Sequence, residues 1–261
     1  MNVADLVRAM EEIAPTRLAA SWDNVGLLVG DEAAPARRVL LTIDCTLPVV
    51  AEAVEGRYDA IVSYHPPIFA AVKRFVSGSA AYALARAGVA LYSPHTALDV
   101  VRGGTNDVLA TAIAMVDPRP LRPASTLAGD PDAALGLGRV GAIEPGPLRA
   151  IVDRVKRFLD VGHVLVAGPP EAHIARAAVC AGSGGDLIRD AAFAGAHLLL
   201  TGELRHHDAL AAEAAGLSVI ATLHSTSERC VLPLLERRLG SLMPGVVFAR
   251  SGADRDPFVF A

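Results

Sequence analysis

The chain has 261 residues, 52% of them hydrophobic, and a formal net charge of −4 at neutral pH. That length can bury a large core, and we expect two lobes. The slightly acidic balance disfavours a nucleic-acid partner. The longest apolar runs are far shorter than the roughly 20 residues of a membrane-spanning helix, so we expect a soluble protein.

The N-terminal segment and the cysteines indicate the cellular compartment of the protein. The opening segment MNVADLVRAMEEIAP is acidic and lacks the basic and then apolar pattern of a secretory signal. The cysteines are scattered and form no CxxC pair, which is typical of small core thiols in a reducing compartment: Cys45, Cys180 and Cys230. We therefore expect a cytoplasmic protein.

In the first half of the chain, apolar runs alternate with alanine-rich stretches of helical spacing. The pattern predicts, in order, the helix NVADLVRAMEEIA, the strands GLLVG and RRVLLTID, the helix PVVAEAVEG, the strand DAIVSYH, the helix AAYALARAG, the strand VALYSP and the helix TNDVLATAIA. Several of these strands are continuously apolar, as strands covered on both faces are.

A compositional break interrupts this pattern from Val116 to Gly138, where proline and glycine are dense, and we place a lobe boundary there. The alternation then resumes with the strand GRVGAI, the helix GPLRAIVDRVKRFLD, the strands HVLVAG and ARAAVCAG, the helix DLIRDAAFAG, the strand AHLLLTG, the helix RHHDALAAEAAG, the strand LSVIATL, the helix TSERCVLPLLERRLG and the strand GVVFARS. An alternation of this kind predicts an α/β protein.

Three histidine segments follow predicted strands. In YSPHTALD, His95 and Asp99 are four residues apart, and His224 and Glu228 repeat that spacing in LHSTSER. In a helical turn, such a pair shares one face. His65 follows a third strand, in SYHPPIF. Because ligands collect at the carboxyl ends of strands in open α/β sheets, we expect the three segments to converge.

This set of side chains predicts a metal site. Imidazole nitrogens and carboxylate oxygens are ligands for divalent zinc, manganese, iron or nickel, and one carboxylate can bridge two ions. Taken singly, each histidine is more simply explained as a hydrogen-bonded residue at a strand end. The recurrence of the arrangement favours the metal.

The segment TGELRHHDALAA carries further candidates. It places Glu203, His206 and His207 at another strand end, where they suit an acid/base or supporting role. Helix capping explains Asp208 adequately.

Two other segments have plainer interpretations. The glycine-rich turn in CAGSGGDLIRD, residues 182–186, suits either a bound phosphate or carboxylate or a plain tight turn. In SWDNVGLLVGD, Trp22 is predicted to be a buried anchor beside a polar turn.

Taken in order, these segments resemble one family across nearly the whole chain: SWDNVGLLVG, LLTIDCT, YHPPIF, YSPHTALD, GGTND, CAGSGGD, TGELRHHDA, LHSTSER and DPFVF. The family is that of the dinuclear-metal, ring-forming proteins known as GTP cyclohydrolase I type 2 homologues or Ngg-interacting-factor-three-like proteins. The resemblance implies metal ligands at His65, Asp99, His224 and Glu228, with Glu228 as the bridge. It places His95 beside the metals.

The resemblance also implies two divalent ions per subunit and a homohexameric ring. The chain departs from many bacterial members at Tyr64, where they have a second histidine. One ion therefore loses a nitrogen ligand, and a phenol with a pKa near 10 replaces it poorly. We expect the second metal position to be weakened.

The resulting hypothesis is a metal-dependent hydrolase that acts on a nucleotide-like or phosphorylated small molecule through metal-activated water. His95, His206 and Glu203 are its catalytic candidates. One alternative is a non-enzymatic, metal-binding, ring-shaped scaffold or regulator, and another is a metal-free α/β protein that binds an anion at its glycine-rich turn. Opening of the guanine ring of GTP is implied only by the family name.

The predicted architecture is α/β, with two lobes of mixed sheets flanked by helices and a metal site in the cleft between them. Residues 1–122 and about 222–261 form the first lobe, which carries the metal ligands, and residues from about 123 to 221 form the second.

Overall fold

The computed structural model describes residues 1–124 and 134–259. Its first helices and strands are α1 (Val3–Ile13), β1 (Gly26–Val29), β2 (Arg38–Thr42), α2 (Leu47–Glu55), β3 (Ala60–Ser63), α3 (Ala80–Ala87), β4 (Ala90–Ser93) and α4 (His95–Val100). The next are α5 (Thr105–Thr111), β5 (Val116–Pro123), β6 (Gly136–Pro147), α6 (Leu148–Leu159), β7 (Leu165–Ala167) and β8 (His173–Ser183). The last are α7 (Ile188–Phe193), β9 (Leu198–Glu203), α8 (His206–Ala214), β10 (Ser218–Ala221), α9 (His224–Arg229), α10 (Leu232–Leu242) and β11 (Val247–Arg250).

The first compact unit comprises Met1–Leu98 and Leu232–Pro257. Its five-stranded sheet has the order β1-β4-β3-β2-β11, in which only β1 runs antiparallel to its neighbour. Leu40, Ile61 and Leu91 of three adjacent strands pack into one core with side chains of α2 and α3. Because β2, β3 and β4 are parallel, the residues that follow them share one edge of the sheet.

The second unit is formed by Asp99–Val231. Its six-stranded sheet has the order β5-β6-β8-β9-β10-β7, with β8, β9 and β10 parallel and the other pairs antiparallel. The central strand β8 buries alternate residues on opposite faces. Ala177 and Val179 join a core with α5 and α6, whereas Ala178 and Cys180 join a core with α7 and α8. The helices thus cover both faces of the sheet.

These two sheets confirm the predicted α/β fold with mixed sheets flanked by helices. No strand was predicted in the proline-rich break, yet its first part is strand β5. The prolines at positions 118 and 120 are tolerated because β5 is an edge strand, which needs hydrogen bonds on one side only. Residues 125–133 of the break lie outside the described residues.

One predicted helix is two helices. The segment TSERCVLPLLERRLG was expected to form a single helix, but α9 ends at Arg229 and α10 begins at Leu232. Pro233 is the second residue of α10, a position that does not require its missing N–H. A single continuous helix would have placed this proline in the interior.

The two units divide the chain at Leu98 and Asp99, and again at Val231 and Leu232. The sequence placed these divisions near residues 122 and 222. The first division differs because α5 packs in the core of the second sheet and β5 pairs with β6, and the second differs because α9 packs against β8 and β9. Among the described residues, no helix has both the length and the apolar character that crossing a membrane requires.

Candidate metal centre

In the first unit, strand pairing brings His65 beside a carboxylate. Thr42 of β2 lies opposite Ser63 of β3. Asp44 follows Thr42 by two residues, and His65 follows Ser63 by two residues. The Nδ1 atom of His65 lies 2.9 Å from Asp44 Oδ1. Because a carboxylate only accepts hydrogen bonds, a neutral His65 carries its proton on Nδ1 and its lone pair on Nε2. This arrangement is typical of metal-binding histidines.

His95, the first residue of α4, is held by a second carboxylate. Its Nδ1 atom lies 2.7 Å from Asp23 Oδ1, and the other oxygen of Asp23 accepts hydrogen bonds from the backbone N–H and the hydroxyl of Thr96. The Asp23 side chain is fully buried. Burial raises the pKa of Asp23, but the bonds from His95 and Thr96 outweigh it and hold that pKa below its usual value. Asp23 is therefore a carboxylate at neutral pH.

Aromatic rings surround these imidazoles within the first unit. The buried Tyr64 ring meets both His65 and His95 edge-on, at centroid distances of 5.4 and 6.1 Å. Trp22, expected to be a buried anchor, is 62% exposed. That prediction is wrong because the neighbouring Asp23 takes the buried position in this turn, where it bonds His95.

In the second unit, His224 lies between two carboxylates. Its Nε2 atom is 3.1 Å from Glu228 Oε1, and its Nδ1 atom is 3.0 Å from Glu203 Oε1. The hydrogen bond with Glu228 is the main cause that raises the pKa of His224 to about 9, against the opposing effect of burial, and Glu203 adds to it. The four-residue spacing on α9 therefore does bring His224 and Glu228 together, at a place that favours positive charge.

Gly182, at the end of β8, lies beside Glu228 Oε1 and His224 Nε2. A Cβ atom there would stand 2.8 Å from Glu228 Oε1 and 3.2 Å from His224 Nε2, and the backbone φ is +66°. The Gly182 N–H donates to Ser227 Oγ at 2.8 Å, and that hydroxyl donates to the His224 carbonyl at 2.7 Å. The donor atoms and the space beside them fit a divalent cation.

Asp99 belongs to the same unit and is half-buried. The fully buried Asn106 donates to the Asp99 carbonyl at 3.0 Å and accepts from the Ala181 N–H of β8 at 2.9 Å. Burial first, and then the charges of Asp99 and Glu228, raise the pKa of the Cys180 thiol. The two predicted carboxylate ligands therefore both lie close enough to this thiol to influence it.

Backbone strain occurs at His95 and at the residue before His224. His95 itself has a φ of +32°, and Leu223, which precedes His224, has a φ of +77°. L-residues with side chains rarely adopt such angles, and structures retain them where the surroundings determine them, often at functional sites.

The remaining candidates lie at the start of α8 and the end of β9. His206 is exposed, and its ring packs against that of His207 at a centroid distance of 5.4 Å. Asp208 caps the helix by accepting from the Arg205 N–H at 3.1 Å, as expected. Glu203 is the last residue of β9, and its carboxylate contacts His224.

Comparison with known proteins assigns the family. Residues 1–257 match the sequence profile of Duf34/NIF3 (NGG1p interacting factor 3). The chain belongs to the Duf34/NIF3 family. This confirms the resemblance found in the sequence.

Duf34/NIF3 relatives align over most of their length. NIF3-like protein 1 of Drosophila melanogaster is 37% identical over 99% of this chain and 89% of its own. The GTP cyclohydrolase 1 type 2 homolog of Clostridium perfringens is 31% identical over all of both chains. A Staphylococcus aureus hypothetical protein superposes with a TM-score of 0.89 at 28% identity, covering 100% of this chain and 99% of that one. Reduced HcgD of Methanocaldococcus jannaschii gives 0.81 at 27% identity, covering 96% and 97%.

The sequence patterns did not reveal the residues that support this candidate site. Asp44 could have been found, because it ends a strand predicted beside the one that leads to His65. Asp23 gave no local indication, since 72 residues separate it from His95. Asn106 and Ser227 were hidden in segments with the ordinary composition of helix starts.

Proposed function

We propose that this chain is a metal-dependent hydrolase that acts on a nucleotide-like or phosphorylated small molecule. The observation that carries the proposal is the arrangement at His224, where an imidazole and a buried carboxylate border the gap beside Gly182. A site that raises the pKa of an imidazole to about 9 attracts positive charge, which a divalent cation supplies more strongly.

Asp99, His224 and Glu228 of the second unit and His65 of the first would hold the ions, and Glu228 would be the carboxylate that they share. His65, His224 and Glu228 each offer one ligand atom, and Glu228 is buried. The imidazoles would bind an ion through Nε2, because Asp44 and Glu203 engage the Nδ1 atoms. The position beside Tyr64 is the weaker one.

A bound divalent cation supplies Lewis acidity and lowers the pKa of water enough to give hydroxide near neutral pH. The protein moves the protons. His95 accepts a proton at Nε2, because its Nδ1–H is directed at Asp23. Glu203 orients His224 through the contact with Nδ1. The exposed His206 is a second group for proton exchange with solvent.

The name of one relative supports the proposed substrate class. The Clostridium perfringens relative is named a GTP cyclohydrolase 1 type 2 homolog, so guanine nucleotides come first in the set of compounds to test. Other nucleoside triphosphates and phosphoesters complete it.

The test combines elemental analysis with an activity screen. Untagged protein is stripped with a chelator, loaded with manganese, zinc, iron or nickel in turn, and assayed against that set. We expect one to two ions per chain and metal-dependent turnover, both lost in Glu228→Gln and retained in the exposed control Glu213→Gln. Bound metal without turnover of any compound would overturn the proposal that the protein is a hydrolase.

Bound metal without turnover would favour a second function, that of a ring-shaped metal-binding scaffold. For either function we propose that the protein is a homohexamer. Exposed apolar side chains support an assembly: Phe193 at the end of α7 is 97% exposed, and Leu165 on the edge strand β7 is 62% exposed. Light scattering coupled to size-exclusion chromatography measures the number of subunits, and a monomer would contradict the ring.

A further inference from the structure

Two exposed aromatic side chains flank His95 in the first unit, and we call Trp22, Phe69 and His95 the ring patch. Trp22 is the single tryptophan of the chain and is 62% exposed, and Phe69 is 55% exposed. Leaving such rings in water forgoes roughly 25 cal/mol for each Å² of apolar surface that burial would remove. Two large rings held at the surface beside a histidine with a buried carboxylate partner indicate a binding surface.

The rings of the patch do not stack on one another. The Trp22 and Phe69 centroids are 5.8 Å apart with the planes inclined at 50°. Both rings meet His95 close to edge-on, Trp22 at 6.1 Å and 73° and Phe69 at 6.5 Å and 79°. Mutual stacking therefore does not cover their faces, and both residues are more than half exposed.

Hydrogen bonds hold the patch in place before any ligand binds. Asn24 Nδ2 donates to the Ile68 carbonyl at 2.6 Å and so joins the loop of Trp22 to the loop of Phe69. Asp23 joins the first loop to His95. A surface that is already ordered loses little conformational entropy when it binds a ligand.

The polar part of the patch selects the chemistry of the ligand. Asp23 holds the proton of a neutral His95 on Nδ1, so Nε2 accepts a hydrogen bond. An aliphatic or purely apolar partner would cover this acceptor without satisfying it, at a cost in free energy. A planar nitrogen heterocycle offers both a π-face for the aromatic rings and an N–H at its edge for the imidazole.

We infer that the ring patch binds the base of a nucleoside or nucleotide, with Phe69 stacking on its face, Trp22 meeting it at an inclined angle and His95 accepting a hydrogen bond from its edge. This inference rests on the proposed function for the claim that the bound nucleotide is a substrate. The binding itself requires no turnover.

Trp22 makes the test specific, because all tryptophan emission of the full chain comes from this patch. Guanosine, GTP and tripolyphosphate are titrated while that emission is followed. We expect saturable quenching by guanosine and GTP and none by tripolyphosphate, which has no base. Base stacking on one aromatic residue contributes enough that Phe69→Ala should weaken guanosine binding at least about fivefold. The control Phe158→Ala, on α6 of the second unit, should leave it unchanged.

Three results would overturn the inference: emission that no nucleoside changes, equal quenching by tripolyphosphate, or equal affinity in Phe69→Ala. Emission that shifts only when the protein is diluted would place Trp22 at a contact between copies instead. Failure of the hydrolase proposal can be distinguished from failure of the ring-patch inference. Guanosine binding without hydrolysis keeps the ring patch and rejects the substrate role, whereas turnover that is indifferent to Phe69 rejects the ring patch alone.

Discussion

At the scale of single residues, two imidazoles owe their orientation to buried or half-buried carboxylates. Asp23 fixes His95 across 72 positions of sequence, and Asp44 fixes His65 across 21. In both pairs the carboxylate accepts from Nδ1, so both rings present the Nε2 lone pair. This is the state that either proton transfer or metal binding requires.

Replacing Asp23 with asparagine should reverse the His95 tautomer. The amide oxygen would take over the bonds from Thr96, and the amide NH₂ would then face His95 Nδ1 and donate to it. The proton would move to Nε2, and turnover should fall about 10²- to 10⁴-fold, the usual contribution of general acid/base catalysis. Neutron diffraction should locate the hydrogen on Nδ1 in the native protein and on Nε2 in Asp23→Asn.

The matched control is Asp44→Asn, which changes the partner of His65 and should leave the hydrogen of His95 on Nδ1. A hydrogen on Nδ1 of His95 in both variants would contradict the assigned role of Asp23.

At the scale of elements, β8 and α9 meet at Gly182. Substitution by alanine would place a Cβ 2.8 Å from Glu228 Oε1, well inside van der Waals contact. We expect Gly182→Ala to lower metal affinity at least about tenfold, a loss comparable with those found when the groups that support metal ligands are removed. Isothermal titration calorimetry with zinc or manganese measures it.

Gly195 provides the control for backbone strain. Its φ of +71° resembles the +66° of Gly182, but a Cβ there would meet nothing within 4 Å. Gly195→Ala should therefore bear a similar conformational cost, about 1–2 kcal/mol, and keep the native metal affinity. If both variants lose affinity equally, strain and not the ligand contact explains the effect.

Helix α2 is tied to the segment that follows β11 through Glu52. Its carboxylate accepts from the N–H groups of Gly252 and Ala253, at 2.9 and 3.0 Å, and from the Ser251 hydroxyl. Burial raises the pKa of Glu52, but these three bonds outweigh it and lower that pKa below its usual value. The stabilisation is present above the unfolded pKa, about 4.3, and is lost as the pH falls through the lower folded pKa.

Glu52→Gln should therefore lower the melting temperature by a few degrees at pH 7 and by progressively less in acid. Thermal melts between pH 7 and pH 3, followed by circular dichroism, measure this difference. The exposed Glu55→Gln on the same helix is the control and should melt like the native protein at every pH. A deficit for Glu52→Gln that is constant with pH would exclude the ionic contribution.

At the scale of the whole molecule, metal binding should appear as global stability, because an ion that binds only the folded state stabilises it by mass action. At a hundredfold excess over the dissociation constant the gain is about 2.7 kcal/mol. For a chain of this size that corresponds to roughly 5–10 °C in melting temperature. Chelation should lower the melting temperature of metal-saturated protein by this amount, as differential scanning calorimetry measures.

His224→Ala supplies the comparison. Without this proposed ligand the melting temperature should be the same with and without chelator. A chelator effect that persists in the variant would place the stabilising metal elsewhere.

The sequence by itself determined the α/β class, most of the helices and strands, the family and the pairing of His224 with Glu228. All of these are encoded locally: hydrophobic periodicity specifies an element, and a four-residue spacing on one helix specifies a shared face. Strand β5 was not predicted because its prolines are compatible with a strand only at the edge of a sheet, and the sequence does not show that β5 lies there.

The tertiary structure decided how the candidate site is supported. It paired Asp23 with His95, set Gly182 against His224 and Glu228, and left Trp22 exposed. These contacts join residues far apart in the chain. They depend on strand order, on strand register and on which of two neighbouring turn residues is buried. A local sequence pattern does not specify such contacts, so they can be identified only in the folded chain.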